Sequence, residues 1–254
     1  MRFVQLLILV ALLQACNNAV ITNTKDANPA AIGFDHLNSD SLAIKVADQV
    51  MEAMGGRANW DKSRFIHWSF FGARNHIWDK YTGDVEITSF RKDTSVFQFN
   101  LFSMEGDVFI SGKKITEPDS LKILLEKGMD IWINDSYWLV MPYKLKDTGV
   151  TLNHLGMDTT NAGINAEVIC LTFKETGRTP QNKYFIYVDT VDHLVKQWDF
   201  YNKAKQDTPN FTTPWDDYNL HGDILLSASR GENYILDGIK VSSTSPKNWW
   251  SKVD

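Results

Sequence analysis

The sequence predicts an α+β domain: a strongly curved antiparallel sheet of about ten strands, an incomplete barrel, with two main helices on its concave side. Three observations carry that expectation. Strand-like runs dominate residues 65–241, and the turns between the first of them are too short for parallel crossovers. Only two stretches keep helical spacing, one before the strands and one among them. The chain has just two cysteines, Cys16 and Cys170, so stability has to come from a core rather than from a disulfide framework.

At the N-terminus, Met1 and Arg2 precede an unbroken apolar run at 6–13 (LLILVALL). The run suits a secretory signal and is too short to span roughly 30 Å of hydrocarbon. It ends in Leu13-Gln14-Ala15-Cys16. A small residue before a cysteine at this point resembles the lipobox of bacterial lipoproteins, which implies a signal peptide of 1–15 and acylation of Cys16. Residues 16–38, rich in Asn, Thr, Ala and Asp, read as a tether, and 39–254 as a single domain. Asn17 after Cys16 resembles the residues that permit outer-membrane sorting. The expected location is therefore the outer membrane, facing the periplasm. No other apolar segment approaches twenty residues, so membrane contact is expected through the anchor alone.

The first helix follows. Ser39 or Asp40 can cap it, Leu42, Val46, Val50 and Met54 recur four apart, and Gly55-Gly56 ends it. Strand-like runs occupy 65–71, 75–79, 85–90, 96–102 and 108–110, and Gly72-Ala73 suits a type II′ hairpin. Glu117-Pro118-Asp119 opens a second helix, whose spacing runs through Leu121, Leu124, Leu125, Gly128 and Trp132 to about Asn134. Further runs at 137–141, 166–173, 184–188, 194–201, 224–228 and 234–241 read as strands.

Chemistry-bearing motifs are scarce. HExxH, GxSxG and P-loop patterns are absent, so no catalytic residue, metal ligand or cofactor is assigned. His67 and His76 could meet across a hairpin near Asp79, but cross-strand polar residues on a solvent face explain them as well. Asp216-Asp217 reads as solvated loop charge. Cys170, within a strand-like run, reads as a buried inert thiol. A net charge of -5 without a basic block argues against nucleic acid as a partner.

Aromatic residues say more: nine Trp, fourteen Phe and eight Tyr. Trp68, Phe70, Trp78, Phe97, Phe99, Phe109, Trp132, Trp138 and Trp198 supply a broad aromatic surface. It is either a filled core or the lining of a cavity for an acyl chain or another hydrophobic ligand. For the cavity, the expected lining is Trp68, Phe70, Trp78, Phe97, Phe99, Trp132 and Trp198, with Met51 and Leu125 from the covering helices. An envelope hydrolase or a carbohydrate-binding module using an aromatic cleft is the alternative.

Met54-Gly55-Gly56, then Trp60 and the Ile66–Trp68 strand, resemble the LolA/LolB-type lipoprotein-carrier superfamily. A finer resemblance, to uncharacterised Bacteroidota outer-membrane lipoproteins, rests on four stretches. They are Phe71-Gly72 with Trp78-Asp79-Lys80-Tyr81-Thr82-Gly83-Asp84, the run from Tyr137 through Pro142 to Leu145, Leu171-Thr172-Phe173 through Gly177-Arg178-Thr179-Pro180, and Tyr184 to Asp189 with Trp198. The resemblance implies a bent, unclosed antiparallel sheet with helices plugging its concave side and favours the cavity. It does not by itself transfer a function.

Overall fold

The computed structural model describes residues 26–91, 93–174, 177–247 and 249–250. The expected signal peptide, Cys16 and the start of the tether lie outside them. Among the described residues, three α-helices and fourteen strands follow in chain order: α1 (Ser41–Ala53), α2 (Arg57–Lys62), β1 (Phe65–Phe70), β2 (Arg74–Asp79), β3 (Asp84–Ser89), β4 (Ser95–Asn100), β5 (Gly106–Ile110) and β6 (Lys113–Lys114). Then come α3 (Pro118–Val140), β7 (Val150–Thr159), β8 (Asn165–Phe173), β9 (Lys183–Asp189), β10 (Val195–Tyr201), β11 (Phe211–Pro214), β12 (Asp216–His221), β13 (Ile224–Ser229) and β14 (Leu236–Ser242).

The fold class is the expected one, α+β with open antiparallel sheets, but the strands divide among three ladders. A first sheet runs β14-β1-β2-β3-β4-β5-β6, a second runs β11-β10-β9-β8-β7, and β12-β13 form a separate ribbon. The meander of β1 to β6 follows from its hairpin-length turns. The first of these turns sits one residue earlier than expected. Phe71 and Gly72 both have positive φ, at 51° and 64°, and Ala73 N–H donates to the Phe70 carbonyl. Positive φ at both central residues belongs to a type I′ turn rather than II′, and the pairing of Phe70 with Arg74 leaves three residues in the loop.

Helix α1 buries Ala43, Val46, Ala47, Val50 and Met51, while Leu42 faces out. It stops at Gly55, where φ is 108° and an added Cβ would lie 2.4 Å from the Asp223 carbonyl oxygen, so only glycine fits. Its two candidate caps serve the neighbouring strand instead: Leu152 N–H donates to Ser39 Oγ and His154 N–H to Asp40. Residues 28–38, expected to belong to the tether, are likewise held by the domain. Phe34 is buried in the core, and Ala31 and Asp35 N–H groups donate to the carbonyls of Lys146 and Val150.

Helix α3 departs most from expectation. Glu117 caps it through the Asp119 and Ser120 N–H groups, and it continues to Val140, through residues 137–141 that read as a strand. A short apolar run rich in aromatic and branched residues does not distinguish helix from strand. Here the run is the last turn of an already nucleated helix, and Pro142 turns the chain into a 3-10 turn at Met141–Lys144. β7, β11 and β12 escaped the sequence reading because their polar, exposed residues break the alternation. β11 and β7 are edge strands, where Pro214 is tolerated.

Two apolar clusters hold the helices to the sheets. The first half of α3 presses Leu125 onto Val85, Ile87, Phe97, Phe99 and Val108. Its second half joins α1, β1 and the second sheet through Leu139, Val46, Trp68, Leu152, Ile186 and Trp198. Full burial of each such side chain contributes about 1.5–3 kcal/mol. At Gly128, an added Cβ would lie 3.0 Å from Phe99 Cε1 and 3.2 Å from Phe97 Cδ1, so glycine allows the close helix-sheet approach there.

Candidate functional site

Between the second half of α3 and the second sheet lies a cleft of ≈ 1000 Å³. One wall is a single helix face: Asp130, Ile133, Asn134, Tyr137 and Trp138 are spaced i, i+3, i+4, i+7 and i+8, which brings them to one side of α3. The floor is the sheet, with Val150 of β7, Phe173 of β8, Tyr184 of β9, Trp198 and Phe200 of β10, and Phe211 of β11. These rings interlock. Tyr137 stacks over Trp198 at 6.0 Å, Trp138 over Phe211 at 5.7 Å, and Tyr184 meets Trp198 at 5.1 Å. Burial pushes the Tyr184 hydroxyl up to about 12 and the Tyr137 hydroxyl well above its ordinary value, so both stay neutral.

The rim is polar. Lys144, Asp147 and Thr148 lie on one side, Gly177, Arg178, Thr179, Gln181 and Asn182 on another, and Asn202 and Lys203 at the end of β10. Arg178 Nε sits 3.2 Å from Asp130 Oδ1 and ties the β8–β9 connection to α3. Lys144 pairs with Asp147. The arrangement offers a large apolar surface below and charged groups only at the mouth, which suits an amphiphile.

Two buried polar groups position the α3 wall. On the far side of the helix, Asp135 is fully buried and accepts from Arg74 Nε at 2.6 Å, Arg74 Nη2 at 2.9 Å, His76 Nε2 at 2.7 Å and Asn134 Nδ2 at 2.9 Å. Burial alone would raise its pKa, but the His76 and Arg74 hydrogen bonds outweigh it and hold the carboxyl below the usual range. Burial also lowers His76, which is therefore a neutral ring donating through Nε2, stacked on Trp68 at 4.4 Å. At the helix end, the buried Arg230 donates to the Trp138 carbonyl and lies 3.5 Å from the Trp215 ring centre. A cation there also suits the negative end of the helix dipole.

Of the nine residues expected to line a cavity, Trp198 lines this cleft. Phe97, Phe99 and Leu125 are packed in the second cluster, while Trp68 and Phe70 are in the first. Trp78 and Trp132 meet at 5.2 Å where the two clusters join. Met51 borders a separate cavity of ≈ 70 Å³, with room for a few waters only. The reason is geometric: α3 lies on the face of β3 to β5 and fills it. Phe109 falls next to the buried Val108 on β5 and so points to the other face of the strand. His67 and His76 are not a pair on a solvent face. His76 alone turns inward, and among the described residues no group of three His, Cys, Asp or Glu is placed to hold a metal ion. Asp216 and Asp217 lie on β12, exposed, and Cys170 is buried with its thiol pushed up to about 11 by burial.

The residues of the cleft that sequence reasoning missed are Tyr137, Phe173, Tyr184, Phe200 and Phe211. Had the helix been extended past 134, the spacing from Asp130 to Trp138 would have exposed its wall. The floor was legible in part, since Phe173, Tyr184, Trp198 and Phe200 sit in runs read as strands.

No protein-family model matches the chain, and no curated protein does. Among solved structures, it is similar to a domain from Vibrio parahaemolyticus assigned as a candidate outer membrane lipoprotein-sorting protein. That likeness has 9% identity and a TM-score of 0.41, covering 82% of this chain and 95% of the other. It is also similar to a DUF1329 family protein from Desulfovibrio piger, with 13% identity, a TM-score of 0.43 and coverage of 78% and 92%. At such identities and scores no function carries across, and the reading of this chain rests on its own cleft.

Proposed function

We propose that this is a lipid-anchored envelope protein that binds or carries a hydrophobic ligand, an acyl chain of a lipid or an acylated protein, in the cleft between α3 and the second sheet. The observation that carries the reading is the cleft itself: ≈ 1000 Å³ over a floor of aromatic rings, with charges confined to its mouth. An acyl chain gains about 0.8 kcal/mol per buried methylene. A dozen methylenes therefore supply on the order of 10 kcal/mol, similar in size to the cost of association. Such a site needs apolar area more than placed catalytic groups.

The location belongs to the same proposal: outer membrane, facing the periplasm, anchored through Cys16. Cys16→Ser should move the protein to the soluble fraction, and protease added to intact cells should leave the wild type uncut. Retention of the serine variant in membranes would remove the anchor from this reading.

The test of the ligand is native mass spectrometry of the purified protein, followed by titration with a fluorescent fatty acid. Ile133→Arg places a charge on the cleft wall and should weaken binding at least tenfold, about 1.4 kcal/mol or more. An absence of co-purified ligand together with no fatty-acid binding at micromolar concentration would overturn the carrier reading. Saturable binding of an oligosaccharide instead would favour the alternative of a sugar-binding cleft.

A further inference from the structure

Several large apolar side chains stand in solvent along one edge of the second sheet. Ile32 and Leu37 are each 97% exposed, Leu42 is 59%, Leu155 50% and Met157 60%. Singly such residues are ordinary; their placement here is not scattered. Ile32 and Leu37 lie on the segment that runs beside β7, the edge strand of its sheet. Thr148 Oγ1 donates to the Ile32 carbonyl at 2.7 Å, Asp35 N–H to Val150 at 3.0 Å, and Asp40 N–H to the Leu152 carbonyl at 2.8 Å. Leu42 opens α1 directly after that segment, and Leu155 and Met157 are on β7 itself. From Thr148 to Met157 the row follows about ten residues of extended chain, roughly 30 Å.

Two further facts say what this edge meets. First, the same segment leads back to Cys16. Asn28 is the first buried residue of the described chain, and the roughly twelve residues between them span at most about 40 Å. An acyl anchor on Cys16 therefore leaves this edge within reach of the bilayer. Second, Thr148, which holds Ile32, also lines the mouth of the cleft. The acids of the segment are already engaged, Asp35 by Asn38 and Thr151 and Asp40 by His154. These hydrogen bonds come from neutral groups and leave the carboxylates charged, so adhesion there is driven by the apolar side chains and gains nothing from anionic lipid.

We infer that this edge is a membrane-contacting surface: Ile32 and Leu37 enter the interfacial zone of the bilayer, with Leu42, Leu155 and Met157 beside them, and bring the cleft mouth to the lipid. The partner is a lipid surface, and the contact adds to the anchor. The contact rests on the anchor at Cys16, and its consequence for ligand supply rests on the cleft as an acyl-chain site. It gives that cleft a source, since a chain could pass from bilayer to cleft without crossing water.

The experiment uses the full acylated chain reconstituted into vesicles of phosphatidylethanolamine and phosphatidylglycerol that carry a lipid-borne quencher. An environment-sensitive fluorophore is attached at Ile32→Cys, Leu37→Cys or, as a control, Phe102→Cys, which is 78% exposed on the β4–β5 turn of the first sheet. Cys170 is buried and stays unlabelled. The expected result is quenching at 32 and 37 several-fold above that at 102. Equal quenching at all three sites on a vesicle-bound chain would overturn the inference. So would labels at 32 and 37 shielded by a second copy, detected as cross-links between copies. Fatty-acid titration of the same samples separates the two readings. Quenching without fatty-acid binding removes the cleft function and leaves the surface, and binding without differential quenching does the reverse.

Discussion

Replacing Asp135 by alanine tests whether a buried charge cluster fixes the wall of the cleft. The carboxylate is fully buried and accepts four hydrogen bonds, two of them from Arg74, whose side chain is 12% exposed, and one from His76. Removing it leaves a guanidinium and an imidazole N–H without their acceptor in the interior. Breaking one partner of a buried ion pair costs about 3–5 kcal/mol, a large share of the roughly 5–15 kcal/mol that stabilises a domain. Urea unfolding followed by tryptophan fluorescence should show a lower midpoint with an unchanged slope. Combining Asp135→Leu with Arg74→Met should recover much of the loss, because two apolar groups of similar size desolvate at little cost. The double-mutant cycle, with Asp135→Leu and Arg74→Met as its singles, then reports the coupling. A loss below about 1 kcal/mol for Asp135→Ala, or a double variant as unstable as the sum of the singles, would refute the reasoning.

Other expectations follow from the same packing. Gly128→Val pushes its methyl groups into the rings of Phe97 and Phe99, already 3.2 and 3.0 Å from an added Cβ. Thermal unfolding should show a loss of about 1–3 kcal/mol, and a valine variant as stable as wild type would contradict the close approach of α3. Burial lowers the His76 pKa from 6.5, so the unfolded chain takes up a proton more readily than the folded one. Stability therefore falls as pH drops below about 6.5. His67 and His221 shift in the same direction, so the difference in pH slope between wild type and His76→Gln over about pH 7 to 5 isolates His76. Asp135, whose pKa is lowered from 3.8, loses its contribution only below that window. Identical slopes for the two proteins would show that His76 does not titrate between the states.

Much of the architecture was readable in the residues. Gly55, Gly56 and the four-residue recurrence of Val46, Val50 and Met54 mark α1, and short turns impose the antiparallel meander from β1 to β5. Near-continuous apolar runs mark β8 and β9, because both faces of that sheet carry buried side chains, Ile169, Leu171 and Ile186 on one and Val168 and Tyr187 on the other. The reading failed where local signals were ambiguous or weak. Tyr137 to Met141 favour strand and helix about equally, and their state follows from the helix already running through Trp132. β7, β11 and β12 are exposed strands whose polar residues carry no period. The cleft was misplaced for a related reason. Composition and spacing show that aromatic faces exist, but not which face a helix will cover.

By itself, then, the sequence determined an α+β chain with open antiparallel sheets, the first helix, most strands and an aromatic excess, because each depends on neighbours within a few residues. Tertiary structure alone decided that α3 fills the face formed by Phe97 and Phe99 and that, where its Tyr137 and Trp138 stack on Trp198 and Phe211, a cleft remains beside Phe173, Phe200 and Phe211. It also decided that His76 turns inward to Asp135, 59 residues away. Those outcomes depend on how the first and second sheets share one helix, and no window of the sequence contains both sheets.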